Sequence, residues 1–113
     1  MRICFDLDET LCTGYPYEKA KPIICAIHVL NSLHEAGHVI IIHTARGMSS
    51  RQGNVGKIVK DLGKLTLEQL DSWGVKYDEI VFGKPAADLY IDDKAVNASM
   101  ILNLKDIVRT YDG

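Results

Sequence analysis

Little in this chain of 113 residues suits covalent or metal cross-linking: its three cysteines, Cys4, Cys12 and Cys25, show no Cys-x-x-Cys spacing. An odd, scattered set excludes a disulfide framework or a structural zinc site, and reads as the reduced thiols of a cytoplasmic protein. The four histidines have no metal-ligand spacing either. Long apolar runs are missing, since the longest, Pro22 to Leu30, is broken by His28 and is far too short to span a bilayer. One basic residue followed by acids from Asp6 onward argues against a signal peptide. A formal net charge of −2 gives no general attraction for nucleic acid or an anionic membrane, so neither is expected as a partner. There is no internal repeat and no low-complexity tract. What remains, 47% hydrophobic and 25% charged, is enough for one core and one domain over residues 1–113.

The order of elements follows from hydrophobic pattern and punctuation. Residues 2–7 form a short apolar, β-branched run without polar alternation, the pattern of a buried strand. Gly14, Pro16 and Pro22 mark 8–21 as a loop, and Pro22 suits the first turn of a helix to Ala36 that Gly37 closes. Val39-Ile40-Ile41-Ile42-His43 is a second strand, so residues 2–43 read as a βαβ unit with parallel strands. Residues 46–64 carry four glycines and five basic residues against Asp61 alone, and read as a long loop with one helical turn near Lys57–Leu62. Thr66-Leu67-Glu68-Gln69 matches a capping box opening a helix to Trp73. Glu79–Phe82 and Asp88–Ile91 are two further strands joined by a turn at Gly83-Lys84-Pro85, and a helix follows from about Asn97. The alternation predicts an α/β fold with an open parallel Rossmann-like sheet and helices on both faces.

Ligands of such sheets bind at the carboxyl ends of the strands. The expected strand ends carry Asp6 and Asp8, Thr44, Lys84 just past Phe82, and Asp92 with Asp93. Clustered carboxylates repel one another unless a cation intervenes, and a hard oxygen-rich pocket suits Mg²⁺. A metal on the carboxylates, a lysine and a hydroxyl on phosphoryl oxygens, and one carboxylate free to attack phosphorus make a site for phosphoryl chemistry.

Those four stretches, Phe5-Asp6-Leu7-Asp8-Glu9-Thr10, Ile42-His43-Thr44, Gly83-Lys84-Pro85 and Tyr90-Ile91-Asp92-Asp93, resemble the motifs of the haloacid dehalogenase superfamily of phosphatases over roughly residues 2–97. The resemblance implies Asp6 as nucleophile forming an aspartyl-phosphate, and Asp8 as the acid and base. Thr44 and Lys84 would bind phosphoryl oxygens, and Asp6, Asp8, Asp92 and Asp93 would make the Mg²⁺ site. Thr44-Ala45-Arg46, Gly53-Asn54-Val55-Gly56-Lys57-Ile58 and Tyr77-Asp78-Glu79-Ile80 are similar to small phosphatases of capsule and lipopolysaccharide biosynthesis, which implies a sugar phosphate as substrate. Neither 9–21 nor Gly83–Ala87 is long enough for a folded cap, and a fifth core strand of larger relatives is not expected. Water exclusion then falls to segment 46–64, to a second subunit in a homo-oligomer, or to the substrate's own bulk.

The glycine-rich basic segment is either a plain solvated loop or an edge of the site that steers a phosphorylated substrate, and Arg46 is its best candidate to grip a substrate anion. Tyr15 and Tyr17 wall the pocket or cover core edges. His43 faces away from Thr44 and reads as structural, and Trp73 reads as core. A phosphotransferase or phosphomutase would share every one of these residues. A receiver domain of two-component signalling has a similar length and sheet, but it needs an aspartate ending the third strand, where this chain has Phe82-Gly83. An inactive interaction module has nothing to motivate it.

Overall fold

The computed structural model describes residues 1–112. It is an α/β fold whose centre is a three-stranded, wholly parallel sheet, β1 (Arg2–Phe5), β4 (Val39–Thr44) and β5 (Glu79–Phe82), in the order β1-β4-β5. The register pairs Arg2 with Val39 and Phe5 with Ile42, then Ile41 with Glu79 and Thr44 with Phe82. β4 takes the middle because it is the longest β-branched run. Helix α1 (Ile24–Glu35) connects β1 to β4, and α2 (Val55–Ser72) connects β4 to β5. A 3₁₀ segment at Ala98–Asn103 leads into α3 (Leu104–Asp112).

Ile27, Leu30 and Leu33 of α1, Leu70 of α2, and Leu104 and Val108 of α3 share one buried cluster with Phe5, Ile40 and Ile42, and Ile3 and Ile80 pack against it. Alternate side chains of a strand face opposite ways, so these sheet residues form a single face. The other face holds Cys4 and Val81, which are exposed, with Ile41 and His43 half-buried. The smallest dimension of the molecule, 21 Å, matches one sheet and one helix layer at about 10 Å each. The open sheet is thus flanked by helices over one face, and the layer expected on the second is missing among the described residues.

Several boundaries differ from the sequence reading. β1 ends at Phe5, because the chain curls immediately afterwards. The 8–21 loop contains a small antiparallel pair, β2 (Cys12–Thr13) with β3 (Lys21–Pro22), and Pro22 belongs to that pair instead of opening α1. The larger correction concerns 46–64. Asn54 caps α2 by accepting a hydrogen bond from the Lys57 amide, and the helix then runs without interruption through Gly63 and Thr66. Thr66 therefore starts nothing; it is buried in mid-helix. Asp88–Ile91 is no strand of this sheet: residues 85–97 are exposed and carry no regular strand or helix. Asn97 caps the 3₁₀ segment through the Ser99 amide, so the last helical region begins about where expected.

Candidate functional site

The turn after β1 is set by Leu7, which is fully buried and whose carbonyl accepts from the amides of Thr10, Leu11 and Cys12. Glu9 closes the loop with its amide on the Cys12 carbonyl at 2.7 Å and sits at φ 63°, a left-handed conformation uncommon outside glycine. Leu7 is driven inward, so its neighbours Asp6 and Asp8 are left half-buried at the carboxyl end of the sheet.

Lys84 reaches the same place from the other edge. Its amide bonds to the Thr44 carbonyl at 3.1 Å, and its Nζ lies 3.5 Å from Asp6 Oδ1. The Tyr90 ring covers that ammonium at 4.3 Å, and the Tyr90 hydroxyl donates to the Pro85 carbonyl. His43 shares this corner: burial and then Lys84 push its imidazole below the ordinary 6.5, against the pull of Asp6. His43 does face away from Thr44, but into the site's surroundings, a placement its register opposite Val81 allows.

Arg46 is not a solvent-facing grip. It is 1% exposed, the largest fully buried side chain of the described residues. Its Nε and Nη2 clasp the Asp8 carboxylate at 2.9 to 3.2 Å, while Nη1 donates to Thr66 Oγ1 at 3.2 Å and Gln69 Oε1 at 2.5 Å. Tyr17 stacks over the guanidinium at 4.9 Å, and Gln69 returns its amide to the Tyr17 carbonyl at 2.6 Å. Cys12 completes the ring with Sγ 3.4 Å from Asp8 Oδ1, its thiol pushed up to about 12 by burial first and Asp8 second. Thr44 is buried, and its hydroxyl accepts from the Arg46 amide at 3.1 Å.

Asp6, Asp8, Thr44 and Lys84 are therefore gathered at one end of the sheet, with Arg46 behind them. Asp92 and Asp93 are not. Both are exposed in the 85–97 segment, where Asp92 accepts from the Lys94 amide. Among the described residues no three His, Cys, Asp or Glu side chains group as a metal site. Mg²⁺ wants near-octahedral oxygen coordination, and within one chain Asp6 and Asp8 already face cations with no third carboxylate beside them. A single chain thus offers the ion two carboxylates at this end of the sheet. The residues that sequence reasoning missed are Thr66, Gln69 and Cys12, each chosen by contact with Arg46.

No protein-family model matches the chain, and no curated protein matches it. Among solved structures, the chain is similar to a structural-genomics target from Vibrio cholerae. The identity is 37% and the TM-score 0.88, and the match covers 98% of this chain and 96% of that one. No helix of the described residues is long and apolar enough to cross a membrane.

Proposed function

We propose that the chain is a phosphomonoester hydrolase of the haloacid dehalogenase type, working through an aspartyl-phosphate on Asp6. The observation that carries this reading is the meeting of Asp6 with Lys84 at 3.5 Å, from opposite edges of a parallel sheet and at its carboxyl end. A carboxylate beside an ammonium at that place can attack a phosphoryl group whose oxygens the ammonium neutralises. The Asp6 oxygen bonds to phosphorus, the ester P–O bond breaks, and the leaving oxygen takes a proton from Asp8. Water then gives its proton to Asp8 and attacks the acyl phosphate, releasing inorganic phosphate and the Asp6 carboxylate. Arg46 is the positioning residue that holds Asp8 in place for both proton transfers. Mg²⁺ is the metal this reading calls for, and a small phosphorylated substrate, a sugar phosphate in the finer form of the proposal, is its partner. Three unpaired cysteines, two of them exposed, suit the cytoplasm.

The test is a phosphomonoester screen with Mg²⁺. Asp6→Asn is expected to abolish turnover of the best substrate. Asp8→Asn should cost ~10²–10⁴-fold on sugar phosphates, and less on aryl phosphates, whose leaving groups need no proton. An Asp6→Asn protein of near wild-type turnover would sink the proposal.

A further inference from the structure

β1 is a terminal strand, hydrogen-bonded to β4 on one side and to no strand on the other among the described residues. Such an edge is a template for another strand. The chain also contains an apolar, strand-like segment that joins no sheet: in Asp88-Leu89-Tyr90-Ile91, Leu89 is 80% and Ile91 96% exposed. The two cannot meet in parallel within one molecule. β5 lies two strands from β1, and only Gly83 to Ala87 precede the segment, whereas a parallel crossover takes about a dozen residues or more.

We propose that residues 85–97 are an exchange arm, whose segment 88–91 adds as a parallel strand to the free edge of β1 in a second copy of this chain. The geometry of the arm's root favours it. Lys84 is anchored at the carboxyl end of its own sheet, beside Asp6 and Thr44. An arm that folds back from there runs antiparallel to its own β1. A two-fold axis normal to the sheet reverses that direction, so the arm is parallel to the partner's β1 and needs no crossover. Side-chain pattern supplies the register. With Asp92 set beside Asp6, Leu89 and Ile91 fall next to Ile3 and Phe5, extending the apolar face that the helices cover, and Tyr90 falls next to Cys4 on the other face. One shift of register would reverse every one of these matches.

The exchange also supplies what a single chain lacks. The partner's Asp92 arrives beside Asp6 and Asp8 and makes the third carboxylate of a Mg²⁺ site. This last consequence rests on the phosphatase reading; the exchange itself does not.

Cys4 and Tyr90 become neighbours on adjacent strands, at a spacing a disulfide can bridge. In a Cys25→Ser background, Tyr90→Cys is expected to give a covalent dimer on mild oxidation, and adding Cys4→Ser should abolish it. An intramolecular disulfide, no cross-link, or a monomer in sedimentation equilibrium would each overturn the proposal. Activity gives an independent arm. Asp6→Asn and Asp92→Asn proteins, co-refolded in equal amounts, should regain about a quarter of wild-type activity, since mixed two-fold dimers hold one intact site. No recovery from two inactive parents with an active wild type would place Asp92 in its own chain's site and overturn the exchange. An inactive wild type that still cross-links through Cys4 would sink the phosphatase reading and leave the exchange standing.

Discussion

Arg46 is the residue on which the site's geometry depends. A buried guanidinium is tolerable only when its donors are engaged, and here they meet Asp8, Thr66 and Gln69 in one fork. Arg46→Ala should destabilise the fold by about 3–5 kcal/mol, the usual cost of breaking a buried pair by removing one partner, read as a lower urea midpoint. Arg46→Lys should recover little of it, because a point charge cannot hold Asp8 while also reaching Thr66 and Gln69. A variant that melts like wild type and changes only KM would return Arg46 to the role of substrate grip. Cys12 gives a second outcome at this scale. Its thiol rises from an ordinary 9.0 to about 12 in the folded chain. The unfolded chain therefore loses a proton above about pH 9 that the folded chain keeps, and stability should fall from there to about pH 12. Cys12→Ser should flatten that part of the pH–stability curve, and a thiol reagent at pH 8 should leave Cys12 unmodified in folded protein while labelling exposed Cys25.

Among the elements, β4, β5 and α1 were legible because their patterns have a single reading, β-branched runs for the strands and, for α1, Ile23, Ile27, Leu30 and Leu33 at helical spacing, bounded by Gly37. α2 was not, and the cause is specific. Gly56 and Gly63 look like loop punctuation, yet Gly63 is in mid-helix with only ordinary contacts to Val59 for an added methyl. Thr66 and Gln69 have the spacing of a capping box. The same spacing puts them on one helical face, where both bind the Arg46 guanidinium, and a sequence cannot tell the two uses apart. Gly63→Ala should accordingly stabilise by about 0.5–1 kcal/mol through helix propensity. Asn54→Ala should cost about 1 kcal/mol as a lost cap. Thermal unfolding of the two variants would show opposite shifts; a destabilised Gly63→Ala would mean that the helix packs more tightly there than its contacts indicate. Asp88–Ile91 failed for another reason: it has a strand's composition, but a strand also needs a partner, and among the described residues the segment pairs with none.

At the scale of the molecule, the carboxyl end of the sheet was readable as the place of the candidate site, since that is where parallel strands deliver their loops. Asp6, Asp8, Thr44 and Lys84 do gather there. Asp92 and Asp93 do not, because the segment that carries them, 85–97, joins no strand of the sheet. The strand order β1-β4-β5 is also the order of the strands along the chain, so on a ribosome each emerging strand can settle beside the one before it. The core is finished much later, because Leu104 and Val108 belong to the same buried cluster as Phe5. A polypeptide released before Leu104 would carry a complete sheet over an unsealed interior, visible to proteases. The last residues to emerge that belong to this cluster, Leu104 and Val108, are thus the ones that close the interior around the strands made first.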